Sequence, residues 1–253
     1  MAKSQAWHRL AVGVDLGPAD RSKNQWQLAA QLLRQFDRYR VPARWTVRDF
    51  DVATVDLIRS SQRVHHEIGL EWDGLGVNDV AEVFQFNAVL RDRIAQAADL
   101  NIAVQALAVD ANQRVSYCAL AKAGVRTVRP ARAHGAHQVR PIEPQRMRFG
   151  IWGVPVSCFW PHPSRLWQRI IQRQMSLQAR TSAQVGHLLQ VVFDVPRMAE
   201  NGDLNTVERF LSVVAELQQR QPSFEACRLA DVEKIARLKT VARPARSILR
   251  RVA

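Results

Sequence analysis

Leu10-Ala11-Val12-Gly13-Val14-Asp15-Leu16-Gly17-Pro18 is a short apolar run that breaks into turn residues just after its first carboxylate. The apolar residues up to Val14 suit a buried strand, and Gly17-Pro18 stops it. The next segment is helical in pattern: Leu28, Leu32, Leu33, Phe36 and Tyr39 recur at spacings near three and four, and Val41-Pro42 ends the stripe. Ala43 to Val47 then returns to strand character. One strand-helix unit leads directly into another, which is the sequence form of a parallel sheet with helical crossovers.

The same alternation continues outward from this stretch. Val52–Arg59 suits a short helix, Val64–Leu70 a strand, and Val80–Ala98 a long helix with Val83, Phe84, Val89, Leu90 and Ile94 as its apolar positions. Asn101–Val109 reads as a strand, Val115–Ala123 as a helix stopped by Gly124, and Val125–Val128 as another strand. Arg129–Arg148 is arginine-rich, interrupted by proline and without periodicity, so it reads mostly as a long loop. Ile151–Phe159 suits a strand, Arg165–Arg180 an amphipathic helix, His187–Phe193 a strand and Leu204–Gln218 the last large helix. Seven or eight such units favour closure, so the expected fold class is α/β, a distorted (β/α) barrel of seven or eight parallel strands. The expected division is one barrel over residues 1–235 and a basic tail over 236–253.

Composition narrows the class. At 253 residues, 47% hydrophobic and 23% charged, the chain is long enough for one well-filled core and ordinary for a globular protein. Leu10–Val14 is too short for the apolar region of a secretory signal, and no run reaches the roughly 18 apolar residues that a spanning helix needs. Cys118, Cys158 and Cys227 are odd in number and form no CxxC pair, which argues against a disulfide framework or a zinc knuckle and favours a cytoplasmic location. The net charge of +13 suggests an anionic partner. Seven basic residues and no acid lie between Lys234 and the C-terminus, and Arg126, Arg129, Arg132, Arg140, Arg146 and Arg148 cluster around the long loop. Arg165, Arg169, Arg173 and Arg180 line part of the helix after it. The loop also holds His134 and His137, for which an ordinary solvent loop is the reading over a metal site.

Several of these segments resemble a known family in the proper order. Val12-Gly13-Val14-Asp15-Leu16-Gly17-Pro18 is similar to the T-F-D-D-G-P motif of the polysaccharide deacetylase (NodB-homology) family, with Leu16 at the second aspartate. Val41-Pro42-Ala43-Arg44-Trp45-Thr46-Val47 looks like its G-V-P-A-T-W-F-V strand, and His66-Glu67-Ile68-Gly69-Leu70-Glu71 resembles its H-E-I-G-N-H stretch. Ala119 to Thr127, Ile151 to Val156 and Phe224 to Ile235 are similar to its later junctions. The resemblance implies a glycoside hydrolase/deacetylase-type barrel and hydrolysis of C–N (amide) bonds on a zinc or other divalent ion held by an Asp-His-His triad. In this chain the triad falls on Leu16, Glu71 and Leu75, and leucine has no lone pair to give a metal. The R-x-P-x-G motif would fall near Ala106–Gln113, where Asp110 is the ionisable residue, and the histidine acid is replaced by Asp194 in Val192-Phe193-Asp194-Val195-Pro196.

The expected site is therefore a rebuilt polar pocket at the barrel mouth with no metal and no cofactor. Asp15, Glu71 and Asp194 are its candidate catalytic carboxylates, with Trp45, Trp72, Asp73, Asp110 and Trp152 as candidate substrate contacts, the tryptophans as stacking faces for sugars. The other reading of the same residues is that the acids cap helices and the tryptophans fill core. The expected function is binding or processing of a carbohydrate-type ligand. The alternative is a non-catalytic scaffold that engages an anionic polymer or membrane surface through the Arg126–Arg148 loop and the tail.

Overall fold

A computed structural model describes residues 8–18, 22–74, 76–77, 79–110, 113–131, 143–161, 165–185, 188–201, 204–221 and 224–231. Its elements are, in chain order, β1 (His8–Asp15), α1 (Lys23–Tyr39), β2 (Arg44–Val47), α2 (Val52–Arg59), β3 (Glu67–Trp72), α3 (Val80–Asp99), β4 (Ala106–Val109), α4 (Tyr117–Lys122) and β5 (Thr127–Pro130). Then come β6 (Gln145–Arg146), β7 (Trp152–Gly153), β8 (Cys158–Trp160), α5 (Arg165–Val185), β9 (Leu188–Asp194), α6 (Val195–Asn201), α7 (Leu204–Arg220) and β10 (Phe224–Cys227). The tail and residues 132–142, with His134 and His137, lie outside the described residues.

The strands form one curled sheet in the order β6-β7-β5-β4-β3-β2-β1-β9-β8. All pairs are parallel except β6 with β7. β1 is the axis of the sheet. One edge pairs along its length with β9, while the other is shared, β10 taking His8 to Ala11 and β2 taking Gly13 to Asp15. The barrel expected from the sequence is thus present as a curled, mostly parallel sheet. Its two ends are joined by one stretch of backbone: Val154 N–H donates to Val128 O on β5 at 2.8 Å, and Ser157 N–H donates to Gln190 O on β9 at 2.9 Å. The single strand expected over Ile151–Phe159 is for this reason two strands, β7 and β8, on opposite ends of the sheet.

Two further differences have local causes. The strand expected over Asn101–Val109 begins only at Ala106, because Asn101 and Ile102 close α3 instead. Asn101 takes a left-handed φ of 56°, and Ile102 N–H donates to Ala97 O at 2.8 Å, a Schellman-type stop. Gly124, with φ 83°, ends α4 the same way, as its position in the sequence suggested. The short helix α6 was not anticipated, since Pro196 near its start reads as a break although it is well tolerated in a first turn.

The strands sort their side chains by parity. Leu10, Val12, Val14 and Leu16 join Trp45, Val47, Ile68, Leu189, Val191 and Phe193 in the core beneath α1, α5 and α7. The alternate residues line the lumen, whose floor is apolar: Ala11, Ala106, Trp152, Val154, Leu188, Cys227 and Leu229. Above that floor the lumen becomes polar. Among the described residues, no helix is long and apolar enough to cross a membrane.

Candidate functional site at the barrel mouth

Asp15 ends β1 and is in register with Thr46 of β2 on one side and Asp194 of β9 on the other. All three point into the mouth by the same parity that sends Val14, Trp45 and Phe193 into the helix-side core. Arg129, from the inward side of β5, reaches across the lumen and pairs with the Asp15 carboxylate; its Nη2 also donates to Thr46 Oγ1 at 3.0 Å and its Nη1 to Pro130 O at 2.9 Å. The guanidinium is fully buried and the Asp15 side chain is 10% exposed. Beside this pair, Arg48 Nη2 donates to Glu71 Oε1 at 3.1 Å, with Glu71 inward-facing near the end of β3. The mouth therefore holds two carboxylates, each against its own arginine, with Asp194 adjoining.

Burial sets the protonation of these acids. Loss of water pushes the Asp15 carboxyl above its ordinary range, Arg129 pulls it back, and Asp194 adds to the rise. Glu71 is raised mainly by burial and also by Asp15, against the pull of Arg48. Both groups thus hold a proton more readily than a free carboxylate would.

Below the mouth lies Arg44, 2% exposed, on the lumen side of β2. Its Nε, Nη1 and Nη2 meet no hydrogen-bond partner among the described residues, and burial pulls its pKa down to about 10, Glu67 on the neighbouring strand partly opposing. The guanidinium rests on Gly69, where a Cβ would come within 2.4 Å of Nε and 2.6 Å of Nη2. Gly69→Ala should cost about 1–3 kcal/mol by overpacking. Adding Arg44→Met should cancel most of that cost in a denaturant-unfolding cycle, whereas strictly additive costs would show that the two do not share this space.

Of the residues expected at the site, Asp15, Glu71 and Asp194 come together. Asp194 also caps α6, accepting from Arg197 N–H at 3.1 Å, so the capping reading holds for it as well. Asp73 stands at the rim near Arg93, at 3.9 Å. Asp110 lines a separate, largely apolar cleft of about 320 Å³ that runs from Val109 and Tyr117 past Met147 and Pro155 to Arg129.

The three tryptophans are elsewhere. Trp45 is fully buried against Phe36 and His66, Trp72 is 4% exposed and packs on Phe86 under α3, and Trp152 lies in the lumen floor. None offers a face to the mouth, so for these residues the core reading is the correct one. Arg44, Arg48, Thr46 and Arg129 were missed. The available signal was polar residues at every second position within strands, Arg44 and Thr46 in β2 and Thr127 and Arg129 in β5.

The donor set does not fit the family's metal. Leu16 is 1% exposed and belongs to the helix-side core, and Leu75 is outside the described residues. Glu71, the one triad position that keeps a carboxylate, is held by the Arg48 guanidinium, which a cation would have to displace. Among the described residues no cluster of three His, Cys, Asp or Glu side chains could hold a metal.

No family model and no curated protein matches the chain. Solved structures match its backbone along most of its length. The "putative polysaccharide deacetylase from Mycobacterium smegmatis" aligns with a TM-score of 0.67 at 14% identity, over 95% of this chain and 94% of that one. The "probable polysaccharide deacetylase from Pseudomonas aeruginosa PAO1" gives 0.62 at 11% identity over 91% of each chain. Puue allantoinase gives 0.62 at 9% identity over 91% of this chain and 90% of that one. Identities this low speak for backbone and not for chemistry, and on that basis the chain carries the fold of the solved polysaccharide deacetylases across nearly its whole length.

Proposed function

We propose that this protein binds a carbohydrate-type ligand at the barrel mouth and does so without the metal-assisted amide hydrolysis that the family resemblance implies. The observation that carries the reading is the pairing of Asp15 with Arg129 and of Glu71 with Arg48, side by side at the strand ends. Sugar hydroxyls both donate and accept, and the part-exposed Arg48 and Asp194, with Glu71 against Arg48, offer both functions in one place, next to the fixed pair of Arg129 and Asp15. The alternative, a scaffold acting through the long loop and tail, rests largely on residues 132–142 and 236–253, which lie outside the described ones.

The test is calorimetric titration of the full chain with chitotetraose, alongside metal analysis of protein purified without chelator and an assay for released acetate. Binding that falls at least tenfold in Glu71→Gln, with neither metal nor acetate, is the expected outcome. One equivalent of zinc or cobalt together with acetate release, both lost in Asp15→Ala, would replace this reading with a rebuilt metal site. Absence of any binding would leave the scaffold reading in its place.

A further inference from the structure

Helix α5 contains Arg165, Arg169, Arg173 and Arg180 and no aspartate or glutamate. Its inner side is fixed by Ile171, Met175 and Ala179, all at 2% exposure or less. That packing turns Ile170, Arg173 and Leu177 outward, at the three- and four-residue spacing of a single helix face. Ile170 is 39% exposed and Leu177 is 60% exposed.

Beside this face, between α5 and α7, runs a cleft of about 600 Å³ lined by Arg169, Gln172, Arg173, Ser176, Thr206 and Arg209. The acids of α7 do not neutralise it: Glu208 pairs with Arg38, and Glu216 is shared by Arg180 and Arg220. Among the described residues Arg169, Arg173 and Arg209 have no ion-pair partner.

Three cations that no described acid opposes, around a concave surface, call for a partner rich in phosphate or a similar anion. The neighbouring side chains decide which kind. A nucleic-acid face sets arginines among aromatic platforms on which bases stack. Among the described side chains the flanking groups are aliphatic, and leucine and isoleucine held in water gain free energy by entering the acyl boundary of a bilayer. We infer that the outer face of α5, with Arg209 of α7, is a docking surface for an anionic lipid bilayer. The arginines meet headgroup phosphates, and Ile170 and Leu177 enter between the headgroups. This surface includes no residue of the long loop or the tail, and it does not depend on what the barrel mouth binds.

The experiment is cosedimentation of the full chain with vesicles of phosphatidylcholine containing one-third phosphatidylglycerol, against vesicles of phosphatidylcholine alone. The wild-type chain should partition onto the anionic vesicles only. Arg169→Gln, Arg173→Gln and Arg209→Gln combined should lower that partitioning roughly a hundredfold, at about fivefold for each arginine near the surface. Leu177→Gln alone should lower it several-fold, and neither change should alter the circular dichroism spectrum, since every substituted residue is exposed. Full binding by the triple variant would place the contact in the tail or loop and overturn the inference. So would unchanged binding by Leu177→Gln. If the triple variant instead loses affinity for a single-stranded oligonucleotide while wild type ignores both vesicles, the face belongs to nucleic acid.

Discussion

Arg129→Met should remove about 3–5 kcal/mol of stability at neutral pH, the cost of leaving one member of a buried ion pair alone. Asp15 has no substitute partner of equal standing. Its side chain is 10% exposed, Asp194 and Glu71 add negative charge beside it, and Arg44 is the last and smallest of the influences on it. Methionine fills much of the arginine's volume, so the loss reports charge more than a cavity.

Two further measurements separate these causes. A carboxyl held above its ordinary value of 3.8 in the fold costs stability as pH rises through the window between that value and the folded one. Removal of Arg129 widens this window, so the deficit of the variant should shrink on acidification toward pH 4. The double change Asp15→Asn with Arg129→Met should recover most of the loss at neutral pH, because no buried charge is then left unpaired. A deficit below about 1 kcal/mol, constant with pH, would mean that the pair is well solvated and that the mouth is not the dry polar site described.

The parts of the molecule that the sequence disclosed and concealed differ in physical kind. The order of strand and helix units was legible because each helix shows its apolar stripe locally, as in Leu28, Leu32, Leu33 and Phe36, all buried under the sheet. The carboxylates of the site were legible too, because the C-terminal ends of the strands in a parallel barrel gather at the mouth.

Side-chain direction within a strand was not. Arg44-Trp45-Thr46-Val47 is buried on both faces of the sheet, so alternation alone does not say whether tryptophan or arginine faces the lumen. Trp45 is expected as a binding face, and instead it packs in the helix-side core while Arg44 faces the lumen. Arg129 was concealed for another reason: its partner lies 114 residues away, and the contact exists only once β5 has curled round toward β1. Split strands β7 and β8 have the same origin, since the place where one segment leaves β5 for β9 is a property of sheet closure and has no local signature.

His66 leads to the second large expected effect, a loss of about 3 kcal/mol of stability between pH 7 and pH 4 attributable to this one ring. The ring is 7% exposed, packs edge-on against Phe36 and Trp45, and accepts from Ala43 N–H at Nδ1 at 3.1 Å. An Nδ1 that accepts leaves the proton on Nε2, and protonation would put a second hydrogen directly against the Ala43 amide. Burial lowers the pKa from 6.5 to about 4, with Asp37 opposing and His65 adding slightly to the fall.

The sign follows from proton counting. Between those two values the unfolded chain binds a proton that the fold refuses, so stability is complete at neutral pH and is lost as pH falls through the window. Asp15 and Glu71 work the other way over part of the same range, because their raised values favour the fold on acidification. His66→Asn removes that ambiguity, since asparagine can keep an acceptor facing Ala43 and has nothing to protonate, while both acids remain. The stability advantage of wild type over His66→Asn, measured by urea unfolding at intervals of pH, should therefore shrink by about 3 kcal/mol from pH 7 to pH 4. A constant difference would mean that the ring takes its proton within the fold, and that the residue matching the start of the family's histidine motif has access to solvent that its packing beneath α1 denies.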